Sequence, residues 1–594
     1  MNKNKRTKNN PDALQLNIIK KVLLYFDNIR RFEFKQLFFL LINRIIKPYL
    51  PFFVLKHKEN LHNYSVVKSN INSLFGFVKV WRITEDSLIH EDKYFQIFMK
   101  KVLENKSYYQ LNLDDFEGTD LEILNNLYRF HLIAEISNEL KMTPPEKIAI
   151  IVEWIDNTSV SRDSKWNGFN TSMRLINWMK ILHSLPDQFQ PEPNNWEKIV
   201  NSIILHLKII SHNIEYHVPG NHVLIQYFSL WLVYNIFSDW KNAEIRSTRY
   251  KNKLLKEIDK EFYKDGSHFE FSFHYQVQIT LFSLIWLYGL SVLGQQISTE
   301  VKSKIAKASN LIKDFLFPDE TIPMIGDNCY TFLNSSLKED INLCHRLFDL
   351  ILCERNDNKK SDNKLVLTKS YMISQKADSK IIFDIGNIGY KSNPGHGHSD
   401  LLSMLYFNKE PLFIDPGTNT YNNTEESLLQ KKAISHNTLS VNGEDQAFLW
   451  GFFRWSFLPS HLSQSVQFNT DTILTGEFTG FKKGGEFTHK REVSFNEAGI
   501  ILKDSAFGTG VQNIFINFIL APNITFIVEE DVIILSGREN SWYMKIHSKS
   551  KFNISEHSIN IFPAYNVSRF SSKLCVNFEL VSFPFNSEIE IFRA

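Results

Sequence analysis

The chain is predicted to be a multidomain α+β protein in which an all-α domain precedes a β-sandwich. Three observations lead there. Between about residues 91 and 355, apolar residues recur at helical spacing in segments of ordinary helix length, with no strand pattern between them. From Glu354 to Lys364 the run ERNDNKKSDNK is charged and polar, as a linker is. Beyond it, short stretches rich in β-branched and aromatic residues are separated by turn residues. At 594 residues the chain exceeds a single ordinary core. It divides into a basic helical N-terminal region (1–90), a helical domain (91–355) and a sandwich (365–594).

In chain order, residues 1 to about 10 are polar and predicted to be disordered. From Leu14 to about Pro48, apolar residues at helical spacing lie among Lys and Arg. Such a segment either touches an anionic surface, here the inner face of a membrane, or packs on the main domain with its cationic heads in water. Thr143-Pro144-Pro145-Glu146 opens a helix with an N-cap, first-turn prolines and an acid at the positive end of the dipole. Another follows Asn194-Asn195, with Ile199, Ile203, Ile204, Leu207 and Ile210 in one stripe. Further helices are predicted over about 222–237, 250–263, 276–293 and 299–316. Strands are predicted over about 381–384, 403–407, 437–441, 472–481, 487–495, 499–504, 524–534 and 542–547.

Composition narrows the function. Apolar residues are 43% and aromatics 14%, with 49 Phe, which excludes a disordered class. The balance of 67 basic and 65 acidic residues gives +2, so no global field favours nucleic acid. Cys329, Cys344, Cys353 and Cys575 have no metal-ligand spacing, and such sparse usage suits free thiols in a reducing compartment. The basic start has no continuous apolar stretch ending in a small-residue cleavage site, and no run approaches the roughly 18 apolar residues of a membrane span. The expectation is a soluble, cytoplasmic protein without signal peptide.

The densest chemistry lies in NPGHGHSDLLSMLYFNKEPLFIDPGTNTY, Asn393 to Tyr421. Residues two apart share a face in extended backbone, so His396 and His398 would face one site if the chain there is extended. A hairpin would bring Asp415 back to them. Ser435-His436-Asn437 adds an imidazole. Two imidazoles and a carboxylate from His398, Asp415 and His436 suit zinc with a fourth position open, although the histidines of a polar turn would read the same way. In Pro219-Gly220-Asn221-His222 the chain breaks before a helix. Asn221 or His222 would then meet an anion at the helix N-terminus, or Asn221 is only its cap. In Asp265 to Tyr275, the rings of Phe269, Phe271, Phe273 and Tyr275 would stack on sugars or fill the core.

These motifs together carry a resemblance. HxH, then DPGTxxY and SHNTLSVNGEDQ, with the upstream NH pair and DGSHFExSxxY, resemble the heparinase II/III-like polysaccharide lyases, which include heparin, heparan sulfate and alginate lyases. WNGFNTSMRLINW, with Arg174 and Trp178, and THKREVSFNEAGIILKD extend the resemblance over most of the chain. It implies an incomplete (α/α) toroid joined to an antiparallel β-sandwich, with the site in the cleft between them. It implies an acidic, uronate-containing polysaccharide or oligosaccharide as substrate, cleaved by β-elimination, in keeping with bacterial surface-polysaccharide metabolism. By the same resemblance, Asn221 and His222 stabilise the substrate carboxylate, Tyr275 is the general acid (for some substrates also the base), and His396 is the other proton-transfer group. His398, Asp415 and His436 match a zinc site of structural kind. Uronate C5-epimerisation, zinc-dependent hydrolysis and non-catalytic glycan binding in polysaccharide biosynthesis are the alternatives. Arg174, Lys432 and Arg454 are either anion contacts or structural, and none is assigned a catalytic role.

Overall fold

In a computed structural model the described residues are 18–46, 63–76, 121–131, 142–161, 163–329, 331–332, 335–352, 363–468, 471–482 and 485–594. The polar start, Cys353 and most of the charged linker lie outside them. Cys329, Cys344 and Cys575 are buried.

The helical half is an incomplete (α/α) toroid. Its helices are Gly168–His183, Pro193–His212, Asn221–Ile236, Ala243–Glu261, Phe273–Val292, Thr299–Phe315 and Leu337–Leu352, preceded by Leu121–Tyr128 and Pro144–Asn157. Gly168–His183 packs on both Pro193–His212 and Asn221–Ile236, Asn221–Ile236 on Ala243–Glu261, and Phe273–Val292 on Thr299–Phe315 and Leu337–Leu352. The Pro144 helix starts as its sequence dictates, with Glu146 accepting from Thr143 N at 2.7 Å. Tyr64–Leu74, from the N-terminal region, buries Tyr64, Val67, Ile71 and Leu74 in this same core.

Asn221–Ile236 and Phe273–Val292 are apolar on all sides and almost wholly buried, as inner helices must be. The second is long and apolar enough to cross a bilayer by composition, contrary to the expectation that no segment is. Its burial makes it a core helix. A second departure is a strand pair inside the stretch read as purely helical, Thr331–Phe332 with Ser335–Ser336. Thr331 pairs in parallel with Ala564, so this loop is captured by the edge of a sheet from the other half.

The C-terminal half is layered antiparallel sheet. One sheet of eight strands runs Ser460–Phe468, Thr472–Lys482, Gly485–Phe495, Gly499–Phe507, Phe585–Arg593, Ser541–Ser548, Val532–Ser536 and Thr525–Glu529 from edge to edge. Facing it across a common core are Phe552–Ala564, Val567–Ser582, Val511–Ile519 and Leu439–Val441, with the strand pair from the helical half at their edge. The single strand expected over 524–534 is a hairpin. Glu529 pairs with Val532, and Glu530 takes φ 51° in the two-residue turn.

A third sheet joins the halves. Its strands Asn363–Leu367, Tyr371–Lys376, Ser379–Asp384, Met404–Asn408 and Glu410–Phe413 are hydrogen-bonded in chain order. Side chains alternate across it. Ile381, Phe383, Met404 and Tyr406 enter the sandwich core, while Ile382, Leu405 and Phe407 enter the helical core.

Inside the sandwich Arg491, wholly buried, holds both oxygens of Asp504 at 2.7 and 3.0 Å and donates to the carbonyls of Leu402 and Asn437 at 2.8 and 2.7 Å. Burial opposes ionisation of Asp504, but Arg491 and a bond from His489 override it and hold the carboxyl well below the usual carboxylate range. Asp504→Asn therefore leaves a buried guanidinium without its counter-charge and is expected to cost about 3–5 kcal/mol in urea denaturation. Because the folded-state pKa is depressed, the stabilisation in the parent protein is complete above the unfolded value of about 3.9 and is lost as pH falls toward the folded one. The Asn variant should lack that acid-sensitive component.

Candidate active site

A cleft of about 580 Å³ lies where the halves meet. The helical half contributes Asn221, His222 and Tyr275 to its wall, and the sandwich half contributes His396, Tyr421 and Phe453. The four residues singled out for proton transfer and carboxylate binding thus share one cavity.

Gly220 precedes the inner helix at φ 106° and ψ −145°, a conformation that favours glycine. A Cβ there would also meet Glu270 Oε1 at 2.5 Å. Gly220 is the cap and Asn221 the first helical residue, which corrects the reading of Asn221 as the N-cap. The next residue, His222, stacks on Phe169 with ring centroids 4.3 Å apart, and its Nδ1 lies 2.9 Å from Glu215 Oε2. Phe169 N and Gln226 Nε2 donate to the same oxygen at 3.1 and 3.0 Å, fixing the carboxylate and so the ring.

Tyr275 is the third residue of the second inner helix. Its hydroxyl is 3.1 Å from that of Tyr421, and its ring centroid is 4.4 Å from that of His396. Burial, reinforced by the carboxylates of Glu270 and Asp327, pushes its pKa well up, so the phenol is held protonated. The other three rings of this stretch do not line the cleft. Phe269 packs on Tyr390, Phe271 on Tyr263 and Phe273 on Phe315, which makes them structural.

The HxH segment is not a plain extended strand. His396 ends a short 3₁₀ turn, Pro394–His396, and Gly397 returns to extended backbone, packed where a Cβ would collide with the backbone of Gly389. The two histidines do not aim at one point in the cleft. Each binds one oxygen of Asp327: His396 Nδ1 is 2.7 Å from Oδ2 and His398 Nε2 is 2.9 Å from Oδ1. Lys431 Nζ lies 3.0 Å from Oδ1 and donates to Gly395 O at 2.7 Å. His396 faces the cleft, whereas His398 is buried behind it. Burial disfavours a charged Asp327, yet Lys431 and the two histidine bonds keep its carboxyl far below the normal range.

Behind Asp327, ligand-type atoms of His398, Asp415 and His436 all lie within 4.8 Å of one another, so the hairpin does bring Asp415 to the histidines. His436 Nδ1 is 2.7 Å from Asp415 Oδ2. His398 Nδ1 and His436 Nε2 are buried ring nitrogens without a hydrogen-bond partner. Two such orphaned nitrogens beside a carboxylate fit a divalent metal of the nitrogen-preferring kind. Burial lowers the His398 pKa despite Asp327, while Asp415 outweighs burial and raises that of His436.

Asp327, Lys431, Glu215 and Tyr421 were not singled out by sequence reasoning as site residues. Asp327 and Glu215 are lone acids in loops, with no spacing to mark them. Lys431 lies five residues before His436, and Tyr421 closes the DPGTxxY motif. Arg174 is structural: it is buried, bonds His206 Nε2 at 2.9 Å and lies over Trp154. Arg454 covers Trp450 outside the cleft wall.

Two family models match the chain, Heparinase II/III N-terminus over residues 122–349 and Heparinase II/III-like, C-terminal over 359–590. Among solved structures it is similar to heparinase III, with TM-score 0.63 and 14% identity over 76% of this chain and 73% of that one. A mutant heparan sulfate lyase HepC from Pedobacter heparinus gives TM-score 0.56 and 16% identity over 76% and 73%. No curated protein sequence matches. At such identities the structural likeness establishes a common fold, a helical region followed by antiparallel sheet. With both family models matched in order along it, the chain belongs to the heparinase II/III-like superfamily of polysaccharide lyases.

Proposed function

We propose that this protein cleaves a uronate-containing glycan by β-elimination. The reading rests above all on the convergence of Asn221, His222, Tyr275 and His396 in one cleft, with His396 oriented through Asp327. The C5 proton of a uronate is weakly acidic because its removal loads further negative charge onto a carboxylate. Asn221 and His222, at the N-terminus of an apolar inner helix, stabilise that charge. His396 donates its Nδ1–H to Asp327, which leaves Nε2 as the basic nitrogen that takes the C5 proton. The electron pair forms the C4–C5 double bond, the bond from C4 to the glycosidic oxygen breaks, and that oxygen takes the phenol proton of Tyr275. Heparinase III and heparan sulfate lyase are named for glycans carrying such uronates, which supports an acidic polysaccharide or oligosaccharide as substrate.

His398, Asp415 and His436 would hold zinc, whose contribution when bound is to crosslink the backbone segments that carry them. Asp327 orients His398 from behind as it orients His396, so the acid–base machinery and the metal ligands share one support.

Three outcomes are expected. Tyr275→Phe should lower formation of the unsaturated uronate, followed by its ultraviolet absorbance on alginate, heparosan, heparan sulfate and hyaluronan, by at least about 10²-fold, with oligosaccharide binding retained. Exchange of the C5 hydrogen with solvent, without unsaturated product, would identify an epimerase instead. Asp327→Asn should reduce kcat by on the order of 10³-fold or more, because the imidazole loses the partner that fixes its tautomer. Elemental analysis of the purified protein should find about one zinc per chain in the parent and none in His436→Ala, and chelation should lower the parent's Tm.

A further inference from the structure

The helices Ile18–Arg31 and Phe34–Ile46 form an element with two unlike faces. Its inner face is fixed to the protein by specific bonds. Asp27 accepts from Phe457 N at 3.0 Å, Asn28 donates to Ser456 Oγ at 3.1 Å, and Arg31 donates to the Trp455 carbonyl. Glu33 accepts from the Tyr390 hydroxyl at 3.0 Å, Phe39 packs on Tyr216, and Leu24 is buried. The outer face is unusual for a protein surface. Leu23, Phe26 and Ile29, one helical turn apart, are 57%, 68% and 45% exposed, and on the second helix Phe34 and Phe38 are 84% and 48% exposed. The two phenylalanines stack at 6.4 Å. Apolar residues normally reach the surface singly, so a run of five large ones requires a partner.

Charge selects that partner. Residues 18–46 carry Lys20, Lys21, Arg30, Arg31, Lys35 and Arg44 against Asp27 and Glu33. Asp27 forms ion pairs with Arg30 and Arg31 besides accepting from Phe457 N, and Glu33 pairs with Lys260 besides accepting from Tyr390, so what remains is the segment's excess of six basic residues over two acids, with Arg30 65% exposed. An apolar stripe with an excess of basic residues is the composition of a helix that lies in the interface of an anionic bilayer.

We propose that this helix pair docks the protein on an anionic lipid surface. The docking element sits at the cleft. The strands Phe448–Gly451 and Arg454–Ser456, to which the first helix is tied, enclose Phe453, a cleft residue whose ring centroid is 5.4 Å from that of His396. Docking therefore holds the cleft beside the lipid headgroups, where it meets glycan attached to or passing that surface.

The test is flotation of the full chain with vesicles of phosphatidylcholine alone or mixed with phosphatidylglycerol, at low and high salt. The parent should float with the anionic vesicles only, less so in high salt. Phe26→Ser/Phe34→Ser/Phe38→Ser, which alters exposed side chains and should keep the parent's circular dichroism and Tm, should bind at least about tenfold more weakly. Failure of the parent to float with anionic vesicles at low salt would overturn the proposal, as would equal binding by the triple variant. A parent dimer that the triple variant converts to monomer, without vesicle binding, would assign the face to a second copy of the chain and overturn it as well.

Discussion

One buried carboxylate organises the site. Asp327 is 1% exposed, and taking an ionised carboxylate out of water is costly unless its oxygens are bonded. Here two histidines and a lysine compensate it, and all three come from the sandwich half while Asp327 comes from the helical half. The ion cluster is therefore also a clamp between the halves. Lys431 closes it by donating to Gly395, the residue before His396, so the backbone of the HxH segment and its imidazoles are tied to the same charge.

The five-stranded sheet sets the frame in which that clamp works. Antiparallel sheets commonly give one face to water. This one gives a face to each core, so Ile381 and Ile382, adjacent in sequence, belong to different hydrophobic cores. The strands flank the HxH segment, with Ser379–Asp384 before it and Met404–Asn408 after it, so the loop carrying His396 springs from the sheet that both cores share. Glu410–Phe413 leads directly into Asp415.

Much of this was legible in the sequence where a periodic pattern met a recognisable end. The inner helices end within a few residues of their predicted bounds, since long apolar runs broken by Pro-Gly or by polar turns admit few readings. Three things were not legible. Asp327 has no sequence neighbour that marks it, because its partners lie 69, 71 and 104 residues downstream. Phe269, Phe271 and Phe273 look the same in sequence whether they stack on a ligand or fill a core. The long strands Phe552–Ala564 and Val567–Ser582 carry many Ser, Asn and charged residues on partly exposed positions, which blurs the alternation a strand is recognised by.

The sheet buried on both faces has a mechanical consequence. Two lobes joined only by a flexible connector can swing apart to admit a polymer, but here separation would strip one face of a sheet whose residues are packed in the helical core. Opening by a hinge would thus cost the burial of Ile382, Leu405 and Phe407. Parting the halves would also pull Asp327 away from His396, His398 and Lys431, so apolar burial and ion pairing resist opening of the cleft together.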